Sequence, residues 1–165
     1  MKKELKKFYA GLSKIHNKGI FASRNIKRSE IVDILRGKII NWVVKDKKTS
    51  QAGPNWIGLG ENKWIDPLYP FDSINHSCNP NLGIKNSRIA VALKDIIKGE
   101  ELLLDYSTTE SDQLWKLDKK CKCSSKNCRK IIKSIQYIPK KVFDSYMPYI
   151  PKYFQRVYMK HIKII

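Results

Sequence analysis

No apolar run in the 165 residues approaches the ~20 needed to cross a bilayer; the stretch from Ile31 to Leu35 is already broken by Asp33. A membrane span is therefore not expected. The start, Met1 to Lys7, is basic but leads into no apolar segment of the kind a secretory signal requires, so the expectation is a reducing, intracellular compartment. Acids are scarce, 15 Asp and Glu against 33 Lys and Arg, for a net charge of +18. Arginine is scarcer still, 6 of those 33 cations. Base reading and planar phosphate recognition lean on the arginine fork, so sequence-specific DNA binding is not expected, while non-specific contact with nucleic acid through lysines is compatible with the composition. Internal repeats are missing, and the one stretch that could be a low-complexity linker is Lys45 to Gly53, read as a loop. No stretch before residue 110 keeps a 3.6-residue period, which argues against a helical bundle or a doubly wound sheet.

What is present is short, punctuated and β-prone. Apolar runs recur between Gly, Pro, Asn and Asp at Gly19 to Ser23, Glu30 to Leu35, Lys38 to Val44, Asn55 to Leu59 and Lys63 to Ile65. Leu82 to Lys85 and Arg88 to Leu93, joined across Asn86-Ser87, predict a hairpin, and Leu102 to Asp105 follows the Lys98-Gly99 turn. From Lys140 to His161 the spacing becomes helical, with Pro148 and Pro151 dividing two short helices that cap the domain. The predicted class is mainly β (α+β), in three parts: a domain over 10–110, a cysteine segment over 111–131 and a helical tail over 132–165. Charge follows a similar division. Residues 1–55 carry 14 basic and 4 acidic side chains, 56–118 carry 6 and 10, and 119–165 carry 13 and 1. An acidic middle between basic ends can attract a cationic substrate, provided the acids cluster in space as they do in sequence.

Three clusters carry chemistry. Asn75-His76-Ser77-Cys78-Asn79-Pro80-Asn81 joins turn formers to metal-ligand and hydrogen-bonding side chains. Gly99 to Tyr106 is a turn feeding an apolar strand that delivers Asp105 and Tyr106 at its end. Cys121, Cys123 and Cys128 supply three thiolates at short spacing; a closed tetrahedral zinc site needs four, and Cys78 is the one cysteine left. Buried reduced thiols would account for one such cysteine better than for a set of four. Zinc at these four sulfurs would pin the tail segment against the Asn-His motif, contributing about 10 kcal/mol.

In this order and spacing the motifs resemble the SET-domain protein lysine methyltransferases, in the form that carries a cysteine-rich post-SET segment. Lys18 to Ala22 is similar to the family's opening glycine loop, Asn75 to Asn81 to its Asn-His-Ser-Cys motif, and Gly99 to Tyr106 to its Glu-Leu-x-x-Asp-Tyr strand. The resemblance implies a knotted β fold, S-adenosylmethionine and zinc as cofactors, and a protein substrate whose target lysine meets the methyl donor in one channel. It implies cofactor contacts from Lys18, Gly19, Asn75, His76 and Tyr106, a substrate channel at Leu104 and Asp105, zinc on Cys78, Cys121, Cys123 and Cys128, and Tyr106 as the catalytic hydroxyl. Trp115 is a candidate to cover the adenine. The sequence departs from the pattern at Asn17, where the family places a second glycine, and at Leu104, where it places Phe or Tyr; the smaller wall predicts di- or trimethylation. The resemblance suggests a histone as substrate, with the Lys-rich ends on DNA and the acidic middle receiving the tail, in the cytoplasm or in a nucleus, its own or a host's. The competing reading is a catalytically weak, zinc-stabilised basic module that binds chromatin or nucleic acid.

Overall fold

The computed structural model describes residues 6–43 and 55–163. Among the described residues ten short strands precede two helices: β1 (Phe8–Leu12), β2 (Lys18–Ala22), β3 (Ile31–Ile34), β4 (Gly37–Asn41), β5 (Ile57–Gly60), β6 (Lys63–Pro67), β7 (Asn75–His76), β8 (Leu82–Lys85), β9 (Ile89–Ala92), β10 (Leu103–Leu104), α1 (Lys140–Tyr146) and α2 (Lys152–Ile162). The mainly β class expected from the sequence is the one found. The predicted loop Lys45 to Gly53 lies outside the described residues, as does Val44 at the end of a predicted strand. Among the described residues no helix is long and apolar enough to cross a membrane.

Local sequence explains the hairpins. Asn86 and Ser87 both take positive φ, 50° and 71°, which gives the two-residue turn whose twist suits antiparallel neighbours β8 and β9. Strand β1, absent from the sequence reading, pairs with β2 from Phe8↔Ala22 to Leu12↔Lys18 and turns back through Asn17 at φ 42°. Asparagine is among the non-glycine side chains that best tolerate left-handed backbone, so the turn forms without a glycine at position 17.

The sheets form around one apolar centre. A five-stranded sheet runs β3-β9-β8-β10-β7, beside a three-stranded β4-β6-β5 and the β1-β2 pair. Ile20, Ile26, Leu35, Ile65, Leu82, Ile84 and Leu102 are essentially inaccessible and form the main core. A second cluster, Ile135, Phe143, Ile150, Phe154 and Tyr158, belongs to the tail, where Phe143 and Tyr158 stack at 3.9 Å between centroids. Each such aromatic stabilises by roughly 1.5–3 kcal/mol through burial, so the tail is fastened, not appended. Gly58 lets it approach: a Cβ there would stand 2.1 Å from the Thr109 carbonyl oxygen and 2.8 Å from Phe154.

The topology places the site. Strand β10 lies parallel to both β7 and β8, with Leu103 opposite Asn75 and Leu104 opposite His76. The Asn-His motif and the strand that delivers Tyr106 therefore stand side by side, 30 residues apart in sequence.

Candidate active site and metal centre

Tyr106 opens the 3-10 turn Tyr106–Thr109, immediately after Asp105 caps it by accepting the Ser107 N–H at 3.1 Å. Its hydroxyl donates to the Ile74 carbonyl at 2.6 Å, and its own N–H is held by His76 Nδ1 at 3.2 Å. Burial, with Glu101 adding its charge, pushes the phenol up to about 12, so at neutral pH the group is a hydroxyl and not a phenolate.

Two cavities meet at this tyrosine. One, of about 350 Å3, is lined among others by Trp56, Phe71, Asp72, Ile74, Tyr106, Glu110 and Trp115. The other, of about 330 Å3, is lined by Ile15, His16, Asn75, His76, Tyr106 and the segment Leu117 to Lys122. Tyr106, Leu117 and Asp118 border both. Both volumes fall within the range of ligand pockets, about 300–1,000 Å3.

Asn75 is committed on one side only. Its Nδ2 lies within hydrogen-bonding distance of Lys18 O (2.9 Å), His16 O (3.3 Å) and Glu101 Oε1 (2.8 Å), tying β7 to the β1-β2 turn. Its Oδ1 makes no hydrogen bond among the described residues, which leaves the side chain of this 6%-exposed residue one acceptor to offer a ligand. Gly19 serves the same junction: a Cβ there would sit 2.2 Å from Glu101 Oε1. Lys18 contributes through its carbonyl, and the loop residues that line the second cavity are Ile15 and His16.

His76 is buried and neutral. Desolvation, reinforced by Arg129 and opposed by Asp105, pulls its pKa down to about 4. Both ring nitrogens are occupied, Nδ1 by the Tyr106 N–H and Nε2 by Cys78 Sγ at 3.4 Å, so what it can give a ligand is its backbone.

Leu104 and Asp105, expected at the channel, lie deeper. Leu104 is 1% exposed within the main core, and neither cavity is lined by it. Asp105 is fully inaccessible and receives Arg129 Nη2 on both oxygens at 2.6 and 2.7 Å, with the Tyr146 hydroxyl donating at 3.1 Å. Tyr146 also reaches the Cys78 carbonyl at 3.3 Å. Sequence reasoning missed this network: Arg129 follows a cysteine, Tyr146 belongs to the tail helix α1, and no local pattern joins either to Asp105. Trp115, considered for the adenine, lines the first cavity and packs on the cysteine cluster.

The acidic middle of the sequence largely disperses. Asp95 pairs with Lys27, Glu101 with Ser13 and Asn75, and Asp105 with Arg129. Of the acids in that stretch, Asp72, Glu110 and Asp118 line the first cavity.

The four cysteines come together without a disulfide. Their sulfurs all lie within 4.8 Å of one another. Tetrahedral Zn–S bonds of about 2.3 Å place sulfurs about 3.8 Å apart, so the set closes on an ion with little movement. The surroundings suit thiolates. Cys78 N–H points at Cys123 Sγ and Cys123 N–H at Cys121 Sγ, both at 3.4 Å, while Arg129 N–H reaches Cys78 Sγ at 3.3 Å. Burial, joined by the neighbouring sulfurs, raises the Cys78 and Cys121 thiols; for Cys123 burial is outweighed by hydrogen bonds from the Cys78 and Ser125 N–H groups and from the Cys121 and Cys128 thiols, which bring it down to about 6. The residues present fit a structural zinc with no open position.

The family model for the SET domain matches residues 17–107. Among curated proteins, the histone-lysine N-methyltransferase trithorax of Drosophila virilis is 33% identical over 148 residues, which is 79% of this chain and 4% of that protein. Histone-lysine N-methyltransferase 2B of Homo sapiens is 31% identical over 135 residues, 73% of this chain and 5% of that protein. The H3 lysine-4 specific histone-lysine N-methyltransferase of Schizosaccharomyces pombe is 31% identical over 146 residues, 78% and 15%. The chain thus matches only 4–15% of the length of these relatives.

Proposed function

This chain belongs to the SET-domain family, and from that premise we propose that it is a protein-lysine N-methyltransferase: it moves a methyl group from S-adenosylmethionine to the side-chain amine of a lysine in a protein substrate. The observation that carries the reading is the shared position of Tyr106, which borders two ligand-sized cavities at once. One hydroxyl can then meet a donor from one cavity and an acceptor from the other.

The cavity of Ile15, His16, Asn75 and His76 would hold S-adenosylmethionine. Asn75 has an acceptor to spare and no donor, which suits the ammonium of the cofactor's amino-acid part. The exposed Lys119, Lys120 and Lys122 stand at the same cavity and suit its carboxylate. The cofactor supplies an electrophilic methyl on a sulfonium. For the protein the remaining task is positioning: displacement in line needs close approach, exclusion of water and an amine whose lone pair is free. Tyr106, protonated at neutral pH, offers its oxygen to the polarised methyl and to an amine N–H, and its bond to Ile74 O fixes the ring. No proton passes through it.

Zinc on Cys78, Cys121, Cys123 and Cys128 would hold the segment Leu117 to Lys122 over the cofactor cavity, a structural role that needs reduced thiolates and hence a reducing compartment. As substrate we take a histone first, following the names of the relatives, with the basic ends resting on nucleosomal DNA without reading its sequence.

The deciding experiment is calorimetric binding of S-adenosylmethionine, followed by transfer of labelled methyl onto a lysine peptide array and onto nucleosomes. Cofactor binding at Kd below about 1 mM with labelled lysine supports the reading. Tight nucleosome binding without cofactor affinity or transfer would replace it by the binding-module alternative.

A further inference from the structure

The first cavity holds a carboxyl that the methyl-transfer reaction does not need; burial raises it to about 7, so it is an anion above that pH, and a cation bound beside it would hold it ionised. Glu110 follows the Tyr106 turn and is 5% exposed. Its Oε1 accepts the N–H groups of Ser111 and Asp112 at 2.7 and 2.9 Å, which fixes the carboxyl in place. Its Oε2 has no hydrogen bond among the described residues and is not one of the sealed-off polar atoms, so it stays reachable from the cavity that Glu110 lines. Next to it Asp112 keeps Oδ2 buried and without a partner, which adds a second negative field. Asp72 and Asp118 line the same space against one lysine, Lys116. Among the described residues no cation is bonded to Glu110.

The reacting lysine is a poor occupant for that oxygen. Methyl transfer requires a neutral amine, whereas an anion beside the amine favours its charged form and holds the lone pair away. A carboxylate directed at the attacking group would slow the step. A fixed, desolvated acceptor in an acidic cavity instead suits a cation that stays charged throughout.

Resting on the methyltransferase reading, we propose that Glu110 Oε2 is a subsite for a second cationic side chain of the substrate, an arginine or lysine close in sequence to the target lysine. Arginine fits best, because it is always charged and can bridge Glu110 Oε2 and a neighbouring acceptor with its fork. Trp56 and Trp115 on the cavity wall offer faces on which a guanidinium can lie. The site therefore selects a basic sequence context, independently of whatever Tyr106 does to the target amine.

The test uses fluorescent peptides with one lysine and, at each position from three before to three after it, either arginine or the isosteric neutral citrulline. Binding is measured by anisotropy at about pH 8, where Glu110 is ionised, with S-adenosylhomocysteine present, and methylation is measured in parallel. Glu110→Gln keeps an oxygen for the Ser111 and Asp112 N–H groups, so the loop survives while the charge goes. The wild-type protein should bind the best arginine peptide about ten- to a hundredfold more tightly than its citrulline twin, and Glu110→Gln should bring that ratio to near one. Glu110→Asp, charged but shorter by a methylene, should give an intermediate ratio. Equal binding of the twins by wild type, an unchanged ratio in Glu110→Gln, or no peptide binding at all overturns the subsite. A uniform fall in turnover with a displaced pH profile in Glu110→Gln also overturns it, in favour of a proton-accepting role. Arginine-selective binding without methylation supports the subsite and instead removes the methyltransferase reading; methylation indifferent to arginine does the reverse.

Discussion

Replacing Arg129 by Met should cost about 3–5 kcal/mol, far more than a surface ion pair is worth. The magnitude follows from the geometry. Two contacts of 2.6 and 2.7 Å from Nη2 to the Asp105 oxygens give an attraction of about 6 kcal/mol at an effective dielectric near 20, set against the desolvation of both groups. Their net contribution is smaller than that attraction. The consequence of breaking the pair is not symmetric, because Asp105 is fully inaccessible whereas the Arg129 side chain keeps 16% exposure. Met at 129 strands a carboxylate in the core, with only the Ser107 N–H and the Tyr146 hydroxyl to satisfy it. Asn at 105 leaves a guanidinium that can still turn toward water, and should cost about 1–3 kcal/mol. The double variant, with no stranded charge, should be more stable than Arg129→Met alone. Urea denaturation of all four proteins at saturating zinc, with zinc content checked by mass spectrometry, measures each corner of the cycle. If Arg129→Met costs under 1 kcal/mol, or if the two single losses simply add, the buried lock between the cysteine segment and the Tyr106 turn is wrongly described.

Other outcomes follow from the same site. Chelation, or Cys128→Ser, should release one zinc per chain and with it the Leu117 to Lys122 wall; titration calorimetry should then show cofactor affinity lost while far-ultraviolet circular dichroism of the β core persists. Tyr106→Phe should leave cofactor binding within a few-fold and lower kcat about a hundredfold or more, with stability reduced by about 1 kcal/mol for the lost bond to Ile74 O; undiminished turnover would remove Tyr106 from the reaction. Glu110 makes a pH prediction with a definite sign. Burial raises its carboxyl from the usual range to about 7, so the folded protein binds the extra proton between about pH 4.5 and 7, and this group's contribution to stability falls as pH rises through that window. Glu110→Gln should therefore gain on the wild type by up to about 3 kcal/mol on going from pH 5 to pH 8, read as a difference between paired denaturation curves so that the shared zinc dependence cancels. A pH-independent difference would show that Glu110 is not desolvated.

How much was legible beforehand depended on the range of the interaction that encodes it. Strands β2 to β6 and the β8-β9 hairpin were visible because alternation and turn residues act within a few positions, as Asn86 and Ser87 do with their positive φ. The two helices were visible because Pro148 and Pro151 interrupt an otherwise regular apolar stripe between Tyr146 and Lys152. Strand β1 was missed for a matching reason: Phe8 to Leu12 has no β-branched residue and is half exposed, and its strand character comes from pairing with β2. The four sulfurs were legible because zinc has a fixed number of ligands and the chain has that number of cysteines. For Asn75, by contrast, the sequence predicts a cofactor contact but not which end of the amide is free: three acceptors drawn from two other segments take its Nδ2 and leave Oδ1.

The same reasoning bears on the tail. Its apolar stripe announced packing, but not its purpose, since a stripe has the same appearance whether it covers inert sheet or the site. What distinguishes the two is polar and long-range: Tyr146 sends one hydroxyl to both Asp105 and the Cys78 carbonyl, 41 and 68 residues away in sequence. Arg129 joins that point from the cysteine segment. Tyr106, the cysteine cluster and α1 are thus coupled through one buried carboxylate, and each element limits the freedom of the other two. A hydroxyl in the role proposed for Tyr106 needs such coupling because the turn that carries it is a single 3-10 segment, too short to be rigid on its own. The tail is in this sense part of the site's support, although neither of the two cavities is lined by it.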